Sequence, residues 1–65
     1  MKTFKEINKL IQESSSIDWS LIEETPDFCI YRCKSSSTLM RKIPNQDLLV
    51  SRELSNKILK DMGFP

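Results

Sequence analysis

The chain has 65 residues, 38% hydrophobic and 29% charged, with ten Lys and Arg against nine Asp and Glu, a net charge of +1 and no histidine. One small core is the ceiling at this length, because a domain of about 60 residues buries only about 60% of the surface its unfolded chain exposes and such a core supplies roughly 3–5 kcal/mol net; self-association would add to that. The near-neutral balance excludes nucleic-acid binding by bulk charge alone, the longest apolar run falls far short of the roughly 20 residues of a bilayer-spanning helix, and a single glycine excludes a phosphate-cradling P-loop.

Met1 to Glu6 alternates charge instead of leading into an apolar secretory stretch, so a cytoplasmic location is expected. Thr3 followed by Glu6 is a capping-box signature, and Phe4, Ile7, Leu10 and Ile11 recur at helical spacing, which predicts a first helix over 3–13. The Ser14-Ser15-Ser16 run offers the backbone competing hydrogen bonds and ends it. From Ile17 the period shortens to two: Ile17, Trp19 and Leu21 alternate with Asp18 and Ser20, the pattern of a half-buried strand. Thr25-Pro26-Asp27 makes a turn. A strand over 28–34 follows, then a serine turn, then a third strand over 38–43 in which Leu39, Arg41 and Ile43 share a face.

Pro44 closes that strand, and Asn45, Gln46 and Asp47 carry the chain outward. A second helix begins near Ser51 with Leu54, Ile58, Leu59 and Met62 as its apolar stripe. Gly63 suits the left-handed position after its end, Phe64 can reach back to Leu59, and Pro65 forbids continuation. The order is α-β-β-β-α. It predicts an α+β two-layer sandwich, a three-stranded antiparallel sheet with two helices on one face.

Cys29 and Cys33 lie four apart on one strand face. At a rise of ~3.3 Å per residue they stand about 13 Å apart, beyond the roughly 7 Å across which a disulfide closes. Reduced structural thiols are expected, since two thiolates without histidine are half a zinc site, and no cofactor is called for. Residues 1–31 carry three Lys against six acids, whereas residues 32–65 carry seven Lys and Arg against three acids. The positive potential therefore concentrates in the second half.

Two stretches carry a family resemblance. One is Asp18-Trp19-Ser20-Leu21-Ile22. The other is Ile43-Pro44-Asn45, then Val50-Ser51-Arg52-Glu53-Leu54, then Lys57-Ile58-Leu59-Lys60-Asp61-Met62-Gly63-Phe64. Together with the element order, they resemble the HicA family of bacterial toxin–antitoxin systems, whose members cleave mRNA and are similar in fold to double-stranded-RNA-binding domains. The first stretch sits where the family has Gly-Trp and an apolar strand; the second is similar to its Val-Pro, spacer and closing helix. The resemblance implies RNA or an antitoxin-like protein as partner. It also implies a Gly-Ser-His turn before the second strand, whose histidine the cleavage depends on. Here those positions are Pro26, Asp27 and Phe28, and a phenyl ring has no proton to transfer. The chain thus looks like the toxin with its catalytic group removed, and no catalytic residue is assigned. Asp27, an acid in a solvated turn, would repel phosphate.

The candidate contact residues for RNA or a protein are Tyr31, Arg32, Lys34, Arg41 and Lys42. Tyr31 shares a strand face with Cys29 and Cys33, opposite Phe28 and Ile30, and is read as the exposed aromatic anchor of a partner surface. Phe28 is read as core, and Trp19 as core in preference to a contact. Arg32 and Lys34 share a face, whereas Arg41 and Lys42 point oppositely, so a basic patch needs strand ends and edges. Three function classes follow: a non-catalytic HicA-like domain binding RNA or protein, a small protein-binding regulator or enzyme inhibitor, and an mRNA interferase with a displaced catalytic group.

Overall fold

In the computed structural model, which describes residues 1–65, α1 spans Phe4–Glu13, β1 Trp19–Glu24, β2 Phe28–Cys33, β3 Met40–Pro44 and α2 Arg52–Asp61. The strands form one antiparallel sheet in the order β1-β2-β3, as short links between consecutive strands dictate. Both helices lie on one face of it: Ile7 and Ile11 of α1 and Ile58 and Met62 at the end of α2 share a single buried cluster with Cys29, Tyr31 and Ile43 of the sheet. This is the expected α-β-β-β-α, two-layer α+β fold. The other face of the sheet has no element over it.

Local chemistry sets the helix ends. The Thr3 hydroxyl accepts from the Glu6 N–H at 3.1 Å, and the Ser51 hydroxyl accepts from the Leu54 N–H at 3.1 Å, each satisfying a donor that has no partner inside the helix. The first two donors of α1 are met from afar. Phe4 N–H donates to Leu48 O at 3.3 Å and Lys5 N–H to Gln46 O at 3.0 Å, while Val50 N–H donates to Lys2 O at 3.0 Å and Thr3 bridges Leu49. Asn45, Gln46 and Asp47 are expected to carry the chain outward; instead, from Gln46 to Val50 the chain runs along the start of α1, whose orphan N–H groups need carbonyls. Buried Val50 anchors them.

Three more expectations shift by one or two residues. Leu54 is 42% exposed and Ser55 takes its inward place ahead of Ile58 and Met62, a rotation of one residue that lets a small side chain sit where α2 meets the core. Strand β1 starts at Trp19, with buried Ile17 before it, and a bulge between Leu21 and Glu23 breaks its alternation. Strand β3 starts at Met40, so Leu39 lies in the preceding turn and is 54% exposed instead of sharing the inward face of Ile43.

Gly63 has φ +93°, and its N–H donates to Lys60 O at 3.1 Å while Phe64 N–H donates to Leu59 O at 3.0 Å. These are the two bonds of a Schellman motif. A Cβ at Gly63 would meet Ile17 Cβ at 3.7 Å, ordinary contact, so the cost of Gly63→Ala comes from the backbone alone. Forcing an L-residue to positive φ costs about 1–2 kcal/mol. The urea midpoint of Gly63→Ala should fall by the matching amount, and an unchanged midpoint would show that the helix end does not need the left-handed turn.

Candidate functional site

Strand β2 sits in the middle of the sheet, and its two faces have different fates. Cys29, Tyr31 and Cys33 point into the helix layer and are buried, whereas Phe28 and Ile30 are half-buried and Arg32 exposed on the open side. Tyr31, expected on a partner surface, is 0% exposed and is the largest fully buried side chain. The phenol tolerates this because its O–H donates to Asn8 O at 3.3 Å and faces Asn8 Oδ1 at 3.4 Å, so no polar atom is stranded. Burial pushes its pKa up to about 12. The Cys29 thiol, likewise pushed up by burial, accepts from Gln12 Nε2 at 3.9 Å.

The open face is set by register. In the antiparallel pairs, Ile30 stands between Glu23 on β1 and Lys42 on β3, Arg32 between Ser20 and Met40, and Phe28 beside Pro44. Directly paired residues project to the same side. The face therefore carries Phe28, Ile30 and 55%-exposed Met40, with Arg32, Lys42 and Glu23 exposed around them. Lys42 Nζ stands 5.2 Å from the Phe28 ring centroid, within cation–π range. Phe28, read as core, belongs instead to this surface and is absent from the buried cluster.

The turn before Phe28 holds that end of the face. No residue in it has positive φ. Instead the Thr25 hydroxyl accepts from the N–H groups of Asp27 at 3.3 Å and Phe28 at 3.0 Å, and Thr25 N–H donates to Phe28 O at 2.9 Å. Asn45 ties the turn to the end of β3, its N–H donating to Asp27 O at 2.9 Å and its Nδ2 to Thr25 O at 3.3 Å.

Of the five expected contact residues, the sheet brings only Arg32 and Lys42 together. Arg41 projects to the helix side, where its guanidinium meets Asp61 at 2.8 Å, because it pairs with inward Tyr31. Lys34 lies beyond the end of β2 and its N–H donates to Asp18 O at 2.6 Å. Glu23, Ile30 and Met40 complete the face and are missing from the expected set. A signal for Ile30 existed, since it shares parity with Arg32 and a charged residue marks the solvent side of a strand; Glu23 and Met40 join the face only through the pairing of the strands. The largest concavity, about 520 Å³ between Asn56, Leu59, Lys60, Phe64 and Pro65, is an open groove at the far end of α2.

Where β1 begins, Asp18 receives hydrogen bonds from the Ser35 hydroxyl and from the Cys33 thiol at 3.3 Å. The Ser35 bond first, then the Cys33 bond, with Lys34 adding attraction, hold its carboxyl below the ordinary value of 3.8. A depressed carboxyl pKa contributes stability above the unfolded value and loses it as pH falls through the folded one. The stability difference between wild type and Asp18→Asn should therefore be constant near neutrality and shrink below about pH 3.8 in pH-resolved urea titrations. A difference unchanged into strong acid would mean that the carboxylate charge plays no part.

What the open face offers chemically is hydrocarbon, one guanidinium, one ammonium and one carboxylate. Both cysteines are free and buried, and no helix is long and apolar enough to cross a membrane. No family model matches the chain, and no curated protein or solved structure matches it.

Proposed function

We propose that this chain is a small non-catalytic, HicA-like domain of the cytoplasm that binds a protein partner through the open face of its sheet. The carrying observation is that Phe28, Ile30 and Met40 lie on a sheet face over which the chain places nothing. An apolar patch with a charged rim is the usual make-up of a protein contact. Two cations offset by one acid are too weak a field to hold a phosphate backbone, whose binding scales with the number of phosphates neutralised. Phe28 stands where the resemblance places the cleaving histidine, and a hydrocarbon ring cannot serve as acid or base. Two free thiols in the core suit a reducing compartment.

One observation favours RNA as a second reading: Lys42 over the Phe28 ring, with Arg32 on the same strand face, is a combination on which an unpaired base stacks. Affinity purification from the native host separates the two. Immobilised wild type should retain a stoichiometric protein, either a host protein or the chain's own untagged copy, and Met40→Asp should lose it while keeping the wild-type circular dichroism. Salt-sensitive recovery of RNA instead would support the second reading. Growth arrest with mRNA loss on expression would overturn the non-catalytic reading.

A further inference from the structure

The four arms around Ile30 have a symmetry that their charges respect. Along β2, Phe28 and Arg32 lie on opposite sides of Ile30 at about 6.6 Å, and across the sheet Glu23 and Lys42 lie on opposite sides at about 4.8 Å, all on the same face. The result is a cross with one aromatic, one acidic and two cationic arms. We infer that this face is self-complementary and that its occupant is a second copy of the chain, docked about a two-fold axis that sets Arg32 of each copy on Glu23 of the other. The inference rests on the proposed role of the open face and names its partner.

Charge selects the axis. A face-to-face pair of identical copies is isologous, so its two-fold axis lies in the interface plane, and with Ile30 over Ile30 four orientations bring arms onto arms. An axis along the strands sets Glu23 on Lys42 of the second copy but Arg32 on Arg32. An axis across the strands sets Phe28 on Arg32 but opposes Glu23 to Glu23 and Lys42 to Lys42. One diagonal sets Arg32 on Lys42. The remaining diagonal, between the Phe28 and Lys42 arms, sets Arg32 on Glu23 twice and Lys42 on Phe28 twice, and opposes no like charges. It crosses the strands of the two sheets at nearly a right angle, one of the two ways in which sheets pack. The Lys42–Phe28 contact within each chain, at 5.2 Å, shows that the two groups suit each other.

A three-stranded face of five- and six-residue strands is small, so the interface falls in the class below about 1,200 Å² that characterises weak, dissociating complexes. Met40 joins the buried area, and the acidic half of the chain contributes its Glu23 to the basic half of the other copy.

Analytical ultracentrifugation of the full chain from micromolar to millimolar concentration tests this. Wild type should show a monomer–dimer equilibrium. Glu23→Arg and Arg32→Glu, both at exposed positions, should each weaken it by about tenfold or more through opposed like charges, and the double variant carrying both should restore it. Glu23→Lys with Lys42→Glu should not, since the cation introduced on β1 would then face Arg32; circular dichroism checks that each variant is folded. A wild type that stays monomeric while its bait retains a host protein sensitive to Met40→Asp overturns the dimer and leaves the face as a binding surface. A monomeric wild type whose bait retains a host protein equally in Met40→Asp overturns both. A dimer indifferent to either charge reversal, or rescued by the Glu23–Lys42 exchange, overturns the orientation and with it the inference.

Discussion

Tyr31→Ala is expected to leave the chain without a cooperative folded state. Emptying a fully buried aromatic site costs about 3–5 kcal/mol, as much as the roughly 3–5 kcal/mol that a core of this size supplies. Tyr31 sits in the central strand with Leu21 and Arg41 paired to either side, and its ring fills the space beneath α1, to which its hydroxyl is bonded through Asn8. Circular dichroism should show a flat, non-cooperative melt. Tyr31→Phe keeps the ring and gives up a hydrogen bond worth about 1 kcal/mol, so it should fold and melt at a lower temperature. A folded, wild-type-like Tyr31→Ala would return the residue to the surface where its strand pattern first put it. The contrast guards against a trap, because loss of binding in Tyr31→Ala would report unfolding and not a contact.

The same phenol has a pH signature. Its pKa rises from 10.0 to about 12 because burial disfavours the phenolate. The unfolded chain releases the proton first, so the stability this contributes is complete below pH 10 and is lost as pH climbs towards 12. Tyr31→Phe should lack that alkaline decline.

Asn8→Asp is the second large effect, expected to cost about 3–5 kcal/mol at neutral pH, the range for an unpaired buried charge. Asn8 is 2% exposed and uses both ends of its amide: Nδ2 donates to Pro44 O at 3.3 Å, joining α1 to β3, while Oδ1 faces the Tyr31 hydroxyl at 3.4 Å. Aspartate has nearly the same shape, so packing is conserved and the change isolates chemistry. The donor becomes an anion pointed at a carbonyl, and nothing cationic is bonded there. Protonation would restore a donor, so the deficit should narrow as pH falls and the buried carboxyl takes up its proton. Urea titrations of wild type and variant at neutral and mildly acidic pH give the two deficits. An equal deficit at both would show that the loss is one of shape.

Features that depend on neighbours in the chain were legible in the residues themselves. Thr3 and Ser51 cap their helices, Gly63 ends α2, and Thr25-Pro26-Asp27 turns the chain, because each acts through hydrogen bonds or backbone angles within a few residues. The order of elements followed, and with it the architecture, since short links leave antiparallel neighbours. Which side of β2 faces inward was another matter. Both of its faces are apolar at their start, Cys29 and Tyr31 on one and Phe28 and Ile30 on the other, so over residues 28–31 a period of two marks a strand without saying which way it faces, and Arg32 alone marks the solvent side. In the folded chain Asn8, 23 residues away in the sequence, offers the Tyr31 hydroxyl a bonded place in the core. The rotation of α2 onto Ser55, the carbonyls of residues 46 and 48 over the start of α1, and the meeting of Glu23, Ile30 and Lys42 in one row likewise arose from contacts between distant segments. Burial is a property of the whole assembly, and only packing decides which of two greasy faces stays wet.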